Sequence, residues 1–268
     1  MNATQNTFTG LDTSAPLALD FDKADAVIYT HRAPGRDSDN EDSLLALSVP
    51  ETGTVLAVCD GLGGLPDGGT ASEQAVQTLA EAAKGARSTD SLRENLLDGI
   101  ETANRIILTR GSGSATTLAL AEVAGGVART YHVGDSSVLI CGQRGKLKHY
   151  TVSHSPVGYA VEAGMLDEEE ALHHEERHLI SNMLGSTDMR IEIGPAIPLA
   201  ARDTLLLASD GLFDNLYPEE IIDIIRCGPL MHAAKRLRDT ANRRMLHPTG
   251  GEPSKWDDLS FILFRQRR

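Results

Sequence analysis

Aromatic residues are scarce in this chain. Phe, Trp and Tyr together make up 4% of its 268 residues, with a single Trp, so a core must be built from Ala, Val, Leu and Ile. Cysteine is scarcer still: Cys59, Cys141 and Cys227 are odd in number, widely spaced and form no CxxC pair. That excludes a disulfide framework and predicts small thiols in a reducing, cytoplasmic compartment. No apolar run is long enough to cross a bilayer, so no membrane partner is expected. The opening residues, MNATQNTFTGLDTSAPLALD, lack the basic start and apolar block of a signal peptide. Residues 1–20 therefore read as a flexible leader, and 21–268 as one domain. Positive charge is also short: 25 Lys and Arg stand against 38 Asp and Glu, a net charge of −13. Phosphate backbones repel such a chain, which argues against a nucleic-acid partner.

What is present suits a globular domain with a full-sized core: 41% hydrophobic and 24% charged residues. Strands are predicted at Ala26–Thr30, Ser43–Ser48 and Thr54–Cys59, the last (TVLAVC) continuously apolar, as when both faces are covered. Helical spacing follows at Ala71, Ala75, Val76, Leu79 and Ala83. It recurs at Leu92, Leu96, Ile100, Ala103 and Ile107, after a capping-box pattern of Ser91 and Glu94. Gly125-Gly126 joins Ala115–Val123 to Val127–Val133 as a hairpin, and Ser136–Cys141 follows. Residues 153–178 are polar, acidic and His-rich, an excursion beside the core. A strand at Thr204–Ala208, a helix opened by Pro218, a helix at Met231–Met245 and a last strand at Leu259–Phe264 complete the chain. Runs of antiparallel strands with paired helices between them predict an α+β layered fold rather than a βαβ sheet.

Three places share one design, an apolar strand meeting a turn that contains Asp. They are Val55–Cys59 before Asp60-Gly61, Leu205–Ala208 before Asp210-Gly211, and Asp257-Asp258 ahead of Leu259–Phe264. Strand ends hold side chains rigidly at a sheet rim, where carboxylates from different strands can meet. Their hard oxygens suit Mg²⁺ and Mn²⁺. A single Asp-Gly is simply a turn dipeptide; three such rims and an acidic SDNED turn go beyond that.

Six segments occur in the order of the motifs of type 2C protein phosphatases (the PPM family). They are Asn40-Glu41-Asp42-Ser43, Asp60-Gly61-Leu62-Gly63-Gly64, Gly113-Ser114-Ala115-Thr116-Thr117, Val133-Gly134-Asp135-Ser136, Ser209-Asp210-Gly211-Leu212 and Asp257-Asp258-Leu259-Ser260. From about residue 24 to the C-terminus the chain resembles this family. The resemblance implies a central sandwich of two antiparallel β-sheets flanked by pairs of antiparallel helices. It implies a binuclear Mn²⁺ or Mg²⁺ centre, with Asp60 shared by both ions, the Gly61 carbonyl on one, and Asp210 and Asp257 completing the other. By the same resemblance Glu41 and Asp42 hold a metal or its waters, and Asp135 belongs to a weaker third ion that Asp210 shares. The activity implied is hydrolysis of phosphoserine and phosphothreonine in proteins by a water attacking phosphorus in line, in a monomer that opposes a Ser/Thr kinase.

An arginine should grip the phosphate. Arg36 is the candidate and Arg32 its competitor. Leu62 stands where eukaryotic members carry a His proposed as general acid, which resembles the bacterial type and leaves water to protonate the departing alkoxide. Asp258 occupies a position where Asn is usual, so it is expected to support ligands rather than bind metal. His154 is read as a structural hydrogen-bonding group. Val161–Gly185 resembles the flap beside the bacterial cleft, placing a flap at about 153–185.

Other readings compete. His174-Glu175-Glu176-Arg177-His178 fits the H-E-x-x-H zinc-protease pattern, without an evident third ligand. Gly61–Gly69 lacks the Gly-Lys ending of a phosphate loop, and Asp37–Asp42 lacks the glycine of a calcium loop. The fold could instead serve as a catalytically dead binding module, or act on one regulatory protein such as an anti-sigma-factor antagonist.

Overall fold

In the computed structural model, residues 5–62 and 67–267 are described; Met1–Thr4 of the expected leader and Gly63-Gly64 of the glycine run lie outside them. The N-terminal half runs β1 (Gln5–Thr9), β2 (Leu17–Phe21), β3 (Ala24–His31), β4 (Asp42–Val49), β5 (Gly53–Asp60), α1 (Gly68–Lys84) and α2 (Thr89–Arg110). A meander follows: β6 (Leu118–Ala124), β7 (Val127–Val133), β8 (Ser137–Cys141) and β9 (Leu147–Tyr150). The excursion holds α3 (Pro156–Glu162) and α4 (Glu168–His173), and two short strands, β10 (Glu192–Ile193) and β11 (Ile197–Pro198), come after it. Last are β12 (Thr204–Ala208), α5 (Asp210–Phe213), α6 (Pro218–Ile225), α7 (Leu230–Leu246) and β13 (Leu259–Gln266).

The strands form two antiparallel sheets, β1-β4-β5-β6-β7-β10 with β11 also on β7, and β2-β3-β13-β12-β8-β9. Alternate side chains of each strand go to opposite faces, and here both faces are covered. Leu45, Leu47, Val55 and Ala57 pack against Ala75, Leu79, Leu96 and Ile100 of α1 and α2. Their neighbours Leu44, Ala46, Leu56 and Val58 turn inward to meet Ile28, Val138, Leu207 and Ile262 of the other sheet. On the far side, Leu206, Phe261 and Leu263 pack on Ile221, Ile225 and Leu237 of α6 and α7. Four layers with three apolar seams explain the continuous hydrophobic strands. The expected α+β sandwich flanked by helices is the one that forms.

Local signals act as the chain suggests in most places. Gly125 and Gly126 both take positive φ, 56° and 78°, as a tight two-residue hairpin requires. α2 starts earlier than its periodicity indicates. Ser88, not Ser91, is the cap: its Oγ accepts from Ser91 N at 3.1 Å, and Ser91 Oγ accepts from Ser88 N at 2.9 Å. The box is thus Ser88 with Ser91, one turn before the Ser91–Glu94 pair.

The leader is the main correction. β1 pairs with β4 from Gln5↔Leu47 to Thr9↔Ser43, and β2 pairs with β3. Between them Thr13 Oγ1 donates to Thr30 O at 2.9 Å, and Asp12 accepts from the Arg32 main chain at 2.7 Å. Both strands lie at sheet edges, where one side stays open and polar residues are tolerated. That is why their mixed composition reads as loop. The domain therefore extends to the first described residues. Among the described residues, no helix is long and apolar enough to cross a membrane.

Candidate active site

Antiparallel register gathers acidic residues at one end of the sandwich. Asp42 opens β4 and Asp60 closes β5, and they are direct cross-strand partners. In the other sheet β12 and β13 are paired through Ala208↔Phe261, so Asp210 just after β12 lies beside Asp257 and Asp258 just before β13. Asp135 comes from the turn between β7 and β8. The sheets are joined at this end by Ser209 Oγ, which donates to Asp42 Oδ2 at 3.0 Å.

The carboxyls feel one another strongly. Burial, then Asp42, Asp210, Asp257 and Asp135, hold the Asp60 carboxyl well above the ordinary carboxylate range. Asp42 is raised by burial and then by Asp258, and Asp135 by burial and then by Asp210. Burial followed by Asp210 pushes Asp257 up to about 6. So many like charges cannot ionise together without cations. Three buried oxygens, Asp42 Oδ1, Asp135 Oδ1 and Asp210 Oδ1, have no hydrogen-bond partner. Unpaired, buried, hard oxygen donors fit divalent Mg²⁺ or Mn²⁺.

Main-chain contacts fix Asp60 in place. Its N–H donates to Thr117 Oγ1 at 3.0 Å, and its carbonyl accepts from Thr116 Oγ1 at 2.8 Å and Thr117 N at 2.9 Å. The GSATT motif is thus a grip on the Asp60 backbone. Gly61 N donates to Glu41 O at 3.2 Å. A Cβ on Gly61 would lie 2.4 Å from the Gly68 carbonyl carbon and oxygen, so only glycine lets the start of α1 close on the site. Asp258 is a clamp between segments: Oδ1 accepts from Ala33 N at 2.7 Å and Oδ2 from Glu41 N at 2.8 Å.

The two arginine candidates differ in their commitments. Arg32 Nε donates to Asp12 Oδ2 at 2.6 Å and its Nη1 to Ser38 O at 3.3 Å. Arg36 is exposed, and its charge pulls down the carboxyls of Glu41 and Asp258, which burial otherwise raises. It therefore stands at the rim of the acidic cluster.

Two residues that the sequence motifs do not mark complete the site. Lys255 Nζ lies 3.1 Å from Asp214 Oδ2 and 3.0 Å from Asp257 Oδ2, and also bonds Asp210 Oδ2. Burial opposes its charge, but Asp210, Asp214 and Asp257 more than offset that and keep the ammonium protonated. Asp214 is pushed up to about 6 by burial, with Asp210 adding to the effect and Lys255 opposing it. The available signal was spacing: Asp214 follows Asp210 by four residues, one helical turn, and Lys255 precedes Asp257 by two.

The flap borders this cluster. A cleft of about 470 Å³ has Asp135, Asp210 and Asp214 at its acidic end, and Val157, Val161, Leu172 and Phe213 among its apolar lining. Arg177 spans from the flap to the core, donating to Leu172 O at 3.0 Å and Ser254 O at 3.1 Å. His174–His178 lies beyond the end of α4 and forms turns, not a helix. The two histidines are not successive residues on one helical face, so the zinc-protease pattern lacks its geometry. His132, His154 and Glu192 lie close enough together to hold an ion. However, His154 Nδ1 accepts from Gly134 N at 3.1 Å and faces the Asn182 amide at 2.9 Å, which leaves the ring proton on Nε2 toward Glu192 at 3.0 Å. This is a hydrogen-bonded tie between the flap base and β10.

Comparison with known proteins agrees with this architecture. The protein phosphatase 2C family profile matches residues 31–245. The chain is 33% identical over 199 residues to the protein phosphatase PhpP of Streptococcus pneumoniae, covering 70% of this chain and 80% of that one. Identity is 30% over 198 residues to the serine/threonine phosphatase stp of Listeria welshimeri, covering 70% and 77%. The structure of the S. agalactiae serine/threonine phosphatase superposes with a TM-score of 0.77 at 28% identity, over 90% of this chain and 99% of that one. The chain belongs to the protein phosphatase 2C family, whose members are metal-dependent serine/threonine phosphatases.

Proposed function

We propose that the protein hydrolyses phosphoserine and phosphothreonine in protein substrates at a binuclear Mn²⁺ or Mg²⁺ centre. The observation that carries this reading is the convergence of Asp42, Asp60, Asp135, Asp210 and Asp257, with buried oxygens that have no protein partner. Asp60, the Gly61 carbonyl, Asp210 and Asp257 would hold the ions. Glu41 and Asp42 would support a metal or its waters, and Asp135 would belong to the outer part of the set. The chemistry supplied when such ions are bound is acidification of a water for in-line attack on phosphorus, with neutralisation of the phosphoryl oxygens.

The remaining work falls to the chain itself. Arg36 at the rim binds the phosphate with a planar fork of donors. Asp258 holds the Ala33 and Glu41 segments in register, and Thr116 and Thr117 keep Asp60 from shifting. Leu62 has no proton to give, so the leaving alkoxide takes one from water. The apolar cleft under the flap accommodates the peptide around the phosphoresidue. In the cell the protein acts as a cytoplasmic monomer on phosphoproteins made by an opposing Ser/Thr kinase. Retention of every expected carboxylate speaks against a dead binding module.

The test pairs hydrolysis of a phosphothreonine peptide with metal binding. Mn²⁺ should support turnover and EDTA abolish it. Trp256, the only tryptophan, is 47% exposed and adjoins Asp257, so its fluorescence should report Mn²⁺ binding without turnover. Asp60→Asn should lower the rate at least a hundredfold and weaken Mn²⁺ binding. Unchanged turnover in EDTA would sink the metal mechanism.

A further inference from the structure

Among the described residues, Lys255 is the one side chain within the acidic cluster whose charge is opposite to its neighbours there. Its ammonium has three N–H donors and meets three carboxylates: Asp214 at 3.1 Å, Asp257 at 3.0 Å, and Asp210. It also lowers the carboxyl of Asp135, which burial and Asp210 raise. Its charge therefore acts by direct contact on Asp210 and from further away on Asp135, the pair expected to share a third, weaker ion. Asp210 is divided between two tasks, since Oδ2 binds Lys255 while Oδ1 is buried without a partner.

We propose that Lys255 is a built-in cation that replaces the third metal ion, so that the centre takes up two exchangeable ions and no more. This inference rests on the metal-dependent reading of the site. A tethered ammonium is present at an effective concentration that no weakly held free ion matches. Its single positive charge, shared among Asp210, Asp214 and Asp257, is permanently in place. Unlike a divalent ion it has no empty coordination position, so it contributes charge and placement and activates no water. This half-buried cation also limits repulsion around Asp210 before any metal arrives, which favours a folded site in the metal-free chain.

The test counts Mn²⁺ ions bound per full-length chain by calorimetry, with Trp256 fluorescence as a second readout. Wild type should bind two. Lys255→Ser should bind three, the additional ion being the weakest, and Lys255→Ser combined with Asp214→Asn should return the count to two. Lys255→Gln, closer in size, should gain the same ion and serves if the serine variant does not fold. Wild type binding three ions, or folded Lys255 variants still binding two, would overturn the proposal. Three in wild type would mean that the ammonium swings away when metal enters. A wild type that binds no Mn²⁺ would instead defeat the metal-dependent reading itself, a result separable from either count.

Discussion

Asp258 shows how much a single side chain can organise. Each of its oxygens accepts from a different main-chain N–H, on Ala33 and on Glu41. An asparagine has one acceptor oxygen, so Asp258→Asn must turn an NH₂ group toward one of those donors. Leaving one buried donor unsatisfied costs about 1–3 kcal/mol, to be read as a lower midpoint in urea unfolding. Mn²⁺ affinity should fall with it, because Glu41 loses its anchor. Gly211 constrains the site from the other side. A Cβ there would sit 1.9 Å from Asp258 O, so Gly211→Ala forces β12 and β13 apart at the point where Asp210 must face Asp257. About 1–3 kcal/mol of stability is the expected loss, and activity should fall more steeply than stability. Asp60, Asp210 and Asp257 were legible in the sequence, because Asp beside a glycine or another Asp at the end of an apolar strand is a local pattern. Lys255 and Asp214 were not. A lone lysine before Trp256 reads as surface, and only the pairing of β12 with β13 brings it to Asp210.

Among the elements, the inner strands were the most readable, because burial on both faces imposes an unbroken apolar run such as TVLAVC. The edge strands were the least. β1, β2 and β9 carry polar residues because one side of each meets solvent or loops, and the first two consequently read as a leader in the sequence. The flap was recognised as an acidic excursion, but its attachment is tertiary: Arg177 ties it to Ser254, the residue before Lys255. Arg177→Ala should loosen the flap while leaving the three apolar seams untouched. The expected result is faster proteolytic cleavage within residues 163–180, a several-fold rise in KM for a phosphopeptide and almost no change in melting temperature. A large drop in melting temperature would mean that the flap is part of the cooperative core. By contrast Leu56, fully buried between the sheets, should cost about 2–5 kcal/mol on conversion to Ala.

For the whole molecule, a chain of net charge −13 buries several of its carboxyls together at one site, and this gives the metal-free protein an unusual response to pH. Asp257 and Asp214 titrate near 6 when folded against an ordinary value of 3.8, burial being the largest cause. Asp42, Asp60 and Asp135 are raised in the same direction, again chiefly by burial. Between the unfolded and folded values the folded chain holds more protons, so its stability falls as pH rises through that window. Two histidines, His132 buried and His149 half-buried, oppose this. Burial lowers His132 to about 3 and also lowers His149, so unfolding takes up protons there and stability rises with pH. Five carboxylates outweigh two imidazoles. Glu252, held near 2 chiefly by Arg243, does not titrate in this range. In EDTA the protein should therefore melt several degrees higher at pH 5 than at pH 7.5. Mn²⁺ reverses the sign, because the ions bind only deprotonated carboxylates and compete with protons for them. The stabilisation by Mn²⁺ should be large at pH 7.5 and nearly absent at pH 5, so the two melting curves should converge on acidification. Melting at pH 5, 6 and 7.5 with each additive is the measurement, and a chelated protein that is most stable at pH 7.5 would contradict the charge balance argued for the site.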